Sequence, residues 1–196
     1  GTTLTSDLTN VDQYADGSTT SYRVNSSIIE SAITSGTNVI LKAQRNIYVQ
    51  SDIMATGSSG GDLTLNAGVD IDISANITTA NGNLTLEANN ESISGRGNNR
   101  YSDIDISSTV NLGTGDLNIT LGNSNTTGSY DINLSAATIN SNNITITDSA
   151  TNTSQPSDLG NFTASSAINI TSTNKYLNVG GASLTANGAG TAVNIT

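Results

Sequence analysis

The feature that most constrains this chain is an internal repeat of short alternating segments. The stretch that begins at Thr37, TNVILKAQRNIYVQSDI, aligns without a gap with the stretch that begins at Gly61, GDLTLNAGVDIDISANI. GNLTLEA from Gly82 and GDLNITL from Gly115 repeat the opening of this unit, and NITIT from Asn143 is a shorter copy. Self-similarity with a period of about 20 to 50 residues is typical of solenoid proteins.

Each unit contains three short segments in which apolar and polar residues alternate. In the first segment Leu63, Leu65 and Ala67 lie on one side of the alternation, and Thr64 and Asn66 lie on the other. A period of two is typical of β-strands, and so short a unit buries its apolar side only when units stack. A third apolar position recurs after the second segment, at Ile53, Ile77, Val110 and Ile139.

The stacked units predict an all-β fold, a right-handed parallel β-helix (solenoid) with three short strands per coil and roughly eight coils. In such a fold like residues lie above like residues, and strands of neighbouring coils pair at about 4.7–4.9 Å. Aromatic residues make up 4% of the chain, and we expect a narrow interior that excludes wide rings. The main alternative, an antiparallel β-sandwich, would require hairpin turns, longer strands and larger core side chains.

The repeat divides the chain into zones of different regularity. We interpret residues 1–196 as a single β-helix segment, a fragment of a larger protein. Residues 1–36 are an atypical start with a short helical turn, residues 37–147 are clear repeats, and residues 148–196 are blurred repeats.

The helical turn and three loops depart from the strand pattern. We predict a helix from Ser27 to Gly36, because Ser27 and Glu30 have the spacing of a capping box and Gly36 can end the helix. Ile29, Ala32 and Ile33 would form its apolar face against the first clear coil. The predicted loops that leave the rod are residues 94–103, 121–130 and 148–160.

Several kinds of chemistry require residues that this chain lacks. It contains no His and no Cys, which excludes His- or Cys-dependent nucleophiles, the usual zinc sites and disulfides. The net charge of -10 is the opposite of what a nucleic-acid-binding protein needs. The sequence has no apolar run long enough for a transmembrane segment. We expect no cofactor and no nucleic-acid partner.

Four aspartates recur in phase with the repeat and are the candidates for chemistry. Asp70 and Asp72 occupy one unit, Asp103 and Asp105 occupy the next, and the solenoid would place all four outward on adjacent coils. Facing carboxylates are the catalytic groups of glycoside hydrolases, and clustered carboxylates can bind Ca²⁺. Because no Arg, Lys or His lies in phase with them, we favour a solvated structural column over a calcium site or an active site.

Asn-X-Ser/Thr sequons occur twelve times in this chain. The alternation of outward polar and inward apolar residues generates Asn-Ile-Thr by itself, so the motif permits glycosylation of an exported protein without establishing it. The candidate glycosylation sites are Asn25, Asn76, Asn83, Asn90, Asn118, Asn125, Asn133, Asn143, Asn152, Asn161, Asn169 and Asn194.

The first predicted loop holds the candidate ligand-binding residues. Arg96, Arg100 and Tyr101 bring two of the six basic residues and an aromatic ring to one short stretch. Such a stretch could contact an acidic or glycan partner, although a solvated insertion is the more ordinary interpretation.

The repeat units resemble the large exoproteins of bacterial two-partner secretion, among them filamentous haemagglutinin and especially the high-molecular-weight adhesins. The residues that carry the resemblance are SIIESAITSGTNVILKAQRNIYVQSDI from Ser27 and LTLNAGVDIDISANITTANGNLTLEA from Leu63. The resemblance implies a secreted or surface-exposed β-helix, exported through an outer-membrane transporter, that binds a host-cell receptor, glycan or matrix. In the adhesin branch, sequon asparagines carry hexoses. The Asn-Pro-Asn motifs of the family's secretion domain are absent, which indicates the repeat body.

We therefore expect a non-enzymatic segment of a bacterial adhesin, located at the cell surface or secreted. It would serve as a rigid stalk and as a binding surface for host cells or matrix. The alternative is a polysaccharide lyase or hydrolase of the β-helix type, acting through the outward aspartates.

Overall fold

The computed structural model describes residues 3–4, 24–93, 101–122, 129–150, 156–173, 177–188 and 193–196. These residues form a parallel β-helix with three sheets that run along its length, and one short helix. Each strand pairs in parallel with the equivalent strands of the neighbouring coils, as Leu41 does with Leu65 and Ile47 with Ile71. The predicted all-β solenoid is confirmed, and the antiparallel sandwich is wrong.

Sheet A is the longest of the three sheets, and sheets B and C complete each coil. Sheet A contains β1 (Thr3–Leu4), β2 (Asn38–Ala43), β5 (Leu63–Ala67), β8 (Leu84–Ala88), β11 (Leu117–Leu121), β14 (Ile144–Asp148), β17 (Ile168–Ser172) and β20 (Val193–Ile195). Sheet B contains β3 (Ile47–Val49), β6 (Ile71–Ile73), β9 (Tyr101–Ile106), β12 (Ser129–Asn133), β15 (Ser157–Asp158) and β18 (Leu177–Asn178). Sheet C contains β4 (Ile53–Ala55), β7 (Ile77–Thr79), β10 (Thr109–Asn111), β13 (Thr138–Ser141), β16 (Asn161–Ala164) and β19 (Ser183–Ala186).

The strand register reproduces the alignment of the repeats. Leu65 pairs with Leu86, and Leu86 pairs with Ile119 on the next coil. The third apolar position is equally regular, because Val110 pairs with Ile77 on one side and with Ile139 on the other. These side chains are all buried, so the interior consists of aliphatic columns parallel to the axis. Burial of these columns is the main favourable term in stacking one coil on the next.

The number of coils is smaller than expected. In the described part of the chain, six sets of three strands run from β2–β4 to β17–β19, with β1 and β20 as single strands at the ends of sheet A. Roughly eight coils were expected, and before residue 24 the structure describes only the strand Thr3–Leu4.

Two aromatic rings lie inside the solenoid, where we expected none. Tyr130 and Phe162 are the largest fully buried side chains of the described residues. Tyr130 pairs with Ser102 on the previous coil, so a small residue leaves room for the large one. Phe162 lies between Ile139 and Leu184 in sheet C. The interior therefore tolerates a ring when its neighbours in the column are aliphatic or small.

Parts of the three predicted loops are strands of sheet B. Tyr101 to Asp103 belong to β9, Ser129 and Tyr130 belong to β12, and Ser157 and Asp158 belong to β15. Each of these strands keeps the parallel register of sheet B. The predicted loops were too long because polar residues in these strands hide the alternation. Residues 94–100, 123–128 and 151–155, which were also predicted as loops, lie outside the described residues.

Helix α1 (Ser26–Thr34) packs against the first coil through Ile29, Ala32 and Ile33, as predicted. The predicted capping box is wrong, because the N-cap is Asn25, whose side chain accepts the backbone N–H of Ser27. Glu30 instead accepts the backbone N–H of Met54 at the edge of sheet C, and Thr34 accepts that of Thr56. An unpaired edge strand is a template for unwanted strand pairing. Helix α1 therefore covers the edge of β4.

Side-chain ladders of Asn and Asp reinforce the backbone pairing between coils. Just before the sheet A strands, the side chain of Asp62 accepts the backbone N–H of Asn83 at 2.8 Å. The side chain of Asn83 in turn accepts the backbone N–H of Asp116 at 2.8 Å, and Asp116 accepts that of Asn143 at 3.0 Å. Each ladder group thus satisfies a donor at a corner where the strand pairing begins.

Three consecutive coils have glycine at the same corner. Gly61, Gly82 and Gly115 lie one above another on consecutive coils, and a Cβ at Gly82 would clash with the carbonyl oxygen of Gly61. The same clash would arise between Gly115 and Gly82. The glycines that open the repeat units are therefore required by the close approach of neighbouring coils.

Candidate functional site

The aspartates singled out from the sequence form two parallel columns on sheet B. Asp72 pairs directly with Asp105, as the alignment predicted. In the neighbouring column the Asp70 side chain accepts the backbone N–H of Asp103 at 3.2 Å, and Asp103 accepts that of Asp131 at 3.3 Å. The structure therefore brings the four predicted residues together and adds Asp131.

Burial raises the pKa values of the carboxyl groups in these columns. Partial burial, reinforced by a hydrogen bond to the Asp131 side chain and by its charge, raises the pKa of Asp103 to about 7. Burial and the charge of Asp103 raise the pKa of Asp70 to about 6, against the opposing effects of a backbone hydrogen bond and of Arg45. Burial also raises the pKa values of Asp105 and Asp131. At pH values between 3.8 and about 6, Asp70 and Asp103 therefore hold protons that isolated aspartates would have released.

Stacking within a β-helix repeats one side-chain type at the spacing of the strands, about 4.7–4.9 Å. Within the described residues, no three or more Asp or Glu side chains converge as a group that could hold a metal ion. Lys42 and Arg45 are the only basic residues of the described part of the chain. Most carboxyl groups in these columns therefore face other carboxyl groups, and they repel one another when both are ionised.

The sequons fall into distinct structural positions. Asn76, Asn83 and Asn143 belong to the ladders, and each accepts a backbone N–H of the next coil through its side chain. Asn118, Asn161 and Asn194 are exposed. Asn25 caps α1, and the Asn90, Asn133 and Asn169 side chains make contacts at the surface. Asn125 and Asn152 lie outside the described residues.

The candidate ligand-binding residues are only partly within the described structure. Arg96 and Arg100 lie outside the described residues, and Tyr101 is described as the first backbone position of β9, without its side chain. Their assignment to a ligand-binding loop stays a prediction.

The outer face of sheet A is an almost uncharged lattice of hydroxyl and amide groups. One outward row contains Thr64, Thr85, Asn118, Thr145 and Asn169, each in register with the next. A second outward row runs from Lys42 through Asn66, Glu87, Thr120 and Thr147 to Thr171. The rows are regular because the same polar positions recur in each repeat, and they form a flat polar surface along the rod.

A buried carboxylate inside the solenoid escaped the sequence analysis. Asp148 is only 2% exposed and lies in register with Leu121, at an inward position of sheet A. It accepts hydrogen bonds from the backbone N–H of Ala150 at 3.0 Å and from the hydroxyl groups of Ser157 at 2.8 Å and Ser172 at 3.3 Å. These donors satisfy a carboxylate where the two preceding coils have the aliphatic side chains of Ala88 and Leu121. Buried residues alternate along β14 from Ile144 to Ile146, and the same alternation continued to Asp148 predicts that its side chain is inward.

Comparison with protein-family models, with curated proteins and with solved structures found no match to this chain. Among the described residues, no helix combines the length and the apolar character that crossing a membrane requires.

Proposed function

We propose that this chain is a repeat-body segment of a large bacterial adhesin, secreted or exposed at the cell surface, that acts as a stalk and as a binding surface for host cells or matrix. The observation that carries the proposal is the long solenoid itself. Its coils repeat in register over six sets of strands, and its outer face on sheet A presents regular, largely uncharged polar rows. Extended solenoid surfaces suit binding to other macromolecules.

The composition supports export and a non-enzymatic role. A chain without Cys folds outside the cell without oxidation. The absence of His removes the commonest acid–base group from its outer surface. The resemblance to two-partner secretion exoproteins adds an outer-membrane transporter as the partner of the full-length protein, and hexoses on exposed sequons such as Asn118 and Asn161 as its modification.

We expect beads coated with the folded 196-residue chain to adhere to cultured host cells or to immobilised extracellular matrix. Beads coated with the same chain after irreversible unfolding are the matched control, because they have the same composition and charge. The readout is the number of beads retained under flow. Retention no higher than that of the control beads would reduce the proposed role to that of a spacer.

A second candidate function is cleavage of a polysaccharide by a hydrolase or lyase mechanism. It would use the proton that Asp103 holds in one of the sheet B columns. Asp103 has a pKa of about 7 and is hydrogen-bonded to Asp131, and a carboxylic acid that keeps its proton at neutral pH is the general acid of glycosidases.

We expect no release of reducing sugar or of unsaturated sugar ends from neutral and acidic polysaccharides, because Asp103 and Asp131 are hydrogen-bonded to each other, whereas the two carboxyl groups of a glycosidase stand about 5–9.5 Å apart. The screen compares the wild-type chain with Asp103→Asn and Asp131→Asn. Turnover by the wild type that both variants lose would favour the enzyme over the adhesin.

A further inference from the structure

The regular outer face of sheet A is interrupted at one place by a cleft. The cleft has a volume of about 250 Å³ and is lined by Glu87, Ala88, Asn89, Asn90, Glu91, Thr120 and Gly122. Pockets for drug-sized ligands have volumes of roughly 300–1,000 Å³, so this cleft matches one small ring better than a larger ligand.

A local change in the backbone creates the cleft. Asn89 has a positive φ of 52° and is buried, and its side-chain amide donates to the carbonyl oxygen of Gly122 at 2.8 Å. On the next coil Gly122 carries no side chain, and a Cβ there would clash with the carbonyl oxygen of Asn89. Irregularities that interrupt regular strand pairing often lie beside functional sites.

One wall of the cleft is a carboxylate that its neighbours hold in place. The Oε2 atom of Glu87 accepts the side-chain amides of Asn66 at 2.8 Å and of Asn90 at 3.0 Å. Asn90 is itself fixed, because its Oδ1 atom accepts from the backbone N–H and the hydroxyl of Ser92. The Oε1 atom of Glu87 has no hydrogen-bond partner among the described residues. The carboxylate is therefore oriented before any ligand arrives.

A hydroxyl group lies beside this carboxylate on the next strand. Thr120 pairs with Glu87 in the strand register, so the two backbones are about 4.7–4.9 Å apart, and the Thr120 hydroxyl also lacks a partner among the described residues. A carboxylate accepts short, strong hydrogen bonds from hydroxyl donors, and a threonine hydroxyl can donate or accept. Together they match adjacent hydroxyl groups on one ring.

We propose that this cleft binds a neutral sugar residue of a glycan, with Glu87 and Thr120 as the groups that recognise its hydroxyls. The proposal rests on the adhesive function proposed above and names its ligand class. A sialylated or sulfated sugar is disfavoured by the net charge of -10 and by the two glutamates that line the cleft. A basic peptide is the rival occupant, because the Oε1 atom of Glu87 can also accept from an ammonium group, and an oligolysine peptide therefore serves as a competing ligand in the test.

The test is a glycan array of neutral, sialylated and sulfated oligosaccharides, probed with the folded 196-residue chain, followed by titration of the neutral oligosaccharide that gives the strongest signal. We expect binding to neutral glycans, with Glu87→Gln weakening the affinity at least tenfold and Thr120→Val weakening it at least threefold. Asp52→Asn removes one charge elsewhere, and Thr163→Val removes one exposed hydroxyl from sheet C, so both should bind like the wild type.

Three results would overturn the assignment of this cleft. They are binding restricted to charged glycans or to an oligolysine peptide, no binding to any glycan, and equal affinities of the wild type and both cleft variants. Circular dichroism spectra identify a variant that fails to fold, in which case the other cleft variant decides. If one of these results is obtained while beads coated with the wild-type chain still adhere to cells, the cleft proposal fails and the adhesive function stands.

Discussion

Replacing Leu86 by alanine should lower the free energy of unfolding by about 2–5 kcal/mol. Leu86 is fully buried and lies between Leu65 and Ile119 in one interior column. Removal of its side chain leaves a cavity that both neighbours border, so it weakens two coil interfaces at once. The measurement is urea-induced unfolding, followed by circular dichroism, with the midpoint and the slope reported separately.

The matched control for this substitution is the preceding residue. Thr85 lies on the same strand and alternates to the outer face, so Thr85→Ala should change the free energy of unfolding by less than about 1 kcal/mol. Equal midpoints for Leu86→Ala and the wild type would contradict the inward orientation of this column. The outer position of Thr85 would be wrong if its substitution were the more damaging of the two.

The sequence predicted the stacking register because the repeat determines it. Shifting a strand by one residue exchanges its inner and outer faces, so the alignment of Leu65 with Leu86 allowed only one pairing. The same reasoning placed Asp72 beside Asp105 and Val110 between the strands of its neighbours.

Other features depend on side-chain contacts that a repeat pattern does not encode. Asn25 rather than Ser27 caps α1, and the side chain of Glu30 bonds to Met54, which is far away in sequence. Asp148 is buried because serine hydroxyls on neighbouring strands satisfy it, and these partners lie 9 and 24 residues away. The cleft beside Glu87 depends on the backbone conformation of Asn89, which composition and spacing do not specify.

The stability of the chain should fall as the pH rises from about 5.5 to about 8. The pKa of Asp103 is about 7 and that of Asp70 is about 6 in the folded chain, against an ordinary value of 3.8. Between the unfolded and the folded pKa values, the folded state holds a proton that the unfolded state has lost, so raising the pH favours unfolding. Discounted for partial exposure, the two shifts give a loss of about 1–2 kcal/mol. Thermal unfolding at about pH 5.5 and at about pH 8 measures this loss of stability.

The titrating group can be identified by substitution, because an amide mimics the protonated carboxyl group. In Asp103→Asn the side-chain oxygen can still accept from the backbone N–H of Asp131, and the amide can donate to the Asp131 carboxylate. We expect this variant to be more stable than the wild type at about pH 8, by about 1–2 kcal/mol, and to have a flatter pH profile. Asp62→Asn is the control, since Asp62 lies in a ladder between Asn38 and Asn83 rather than between carboxylates. Two results would contradict this account. They are a stability of Asp103→Asn that depends on pH as steeply as that of the wild type, and a wild-type chain that is more stable at the higher pH than at the lower one. Either result would mean that the carboxyl groups of these columns do not repel one another in the folded chain.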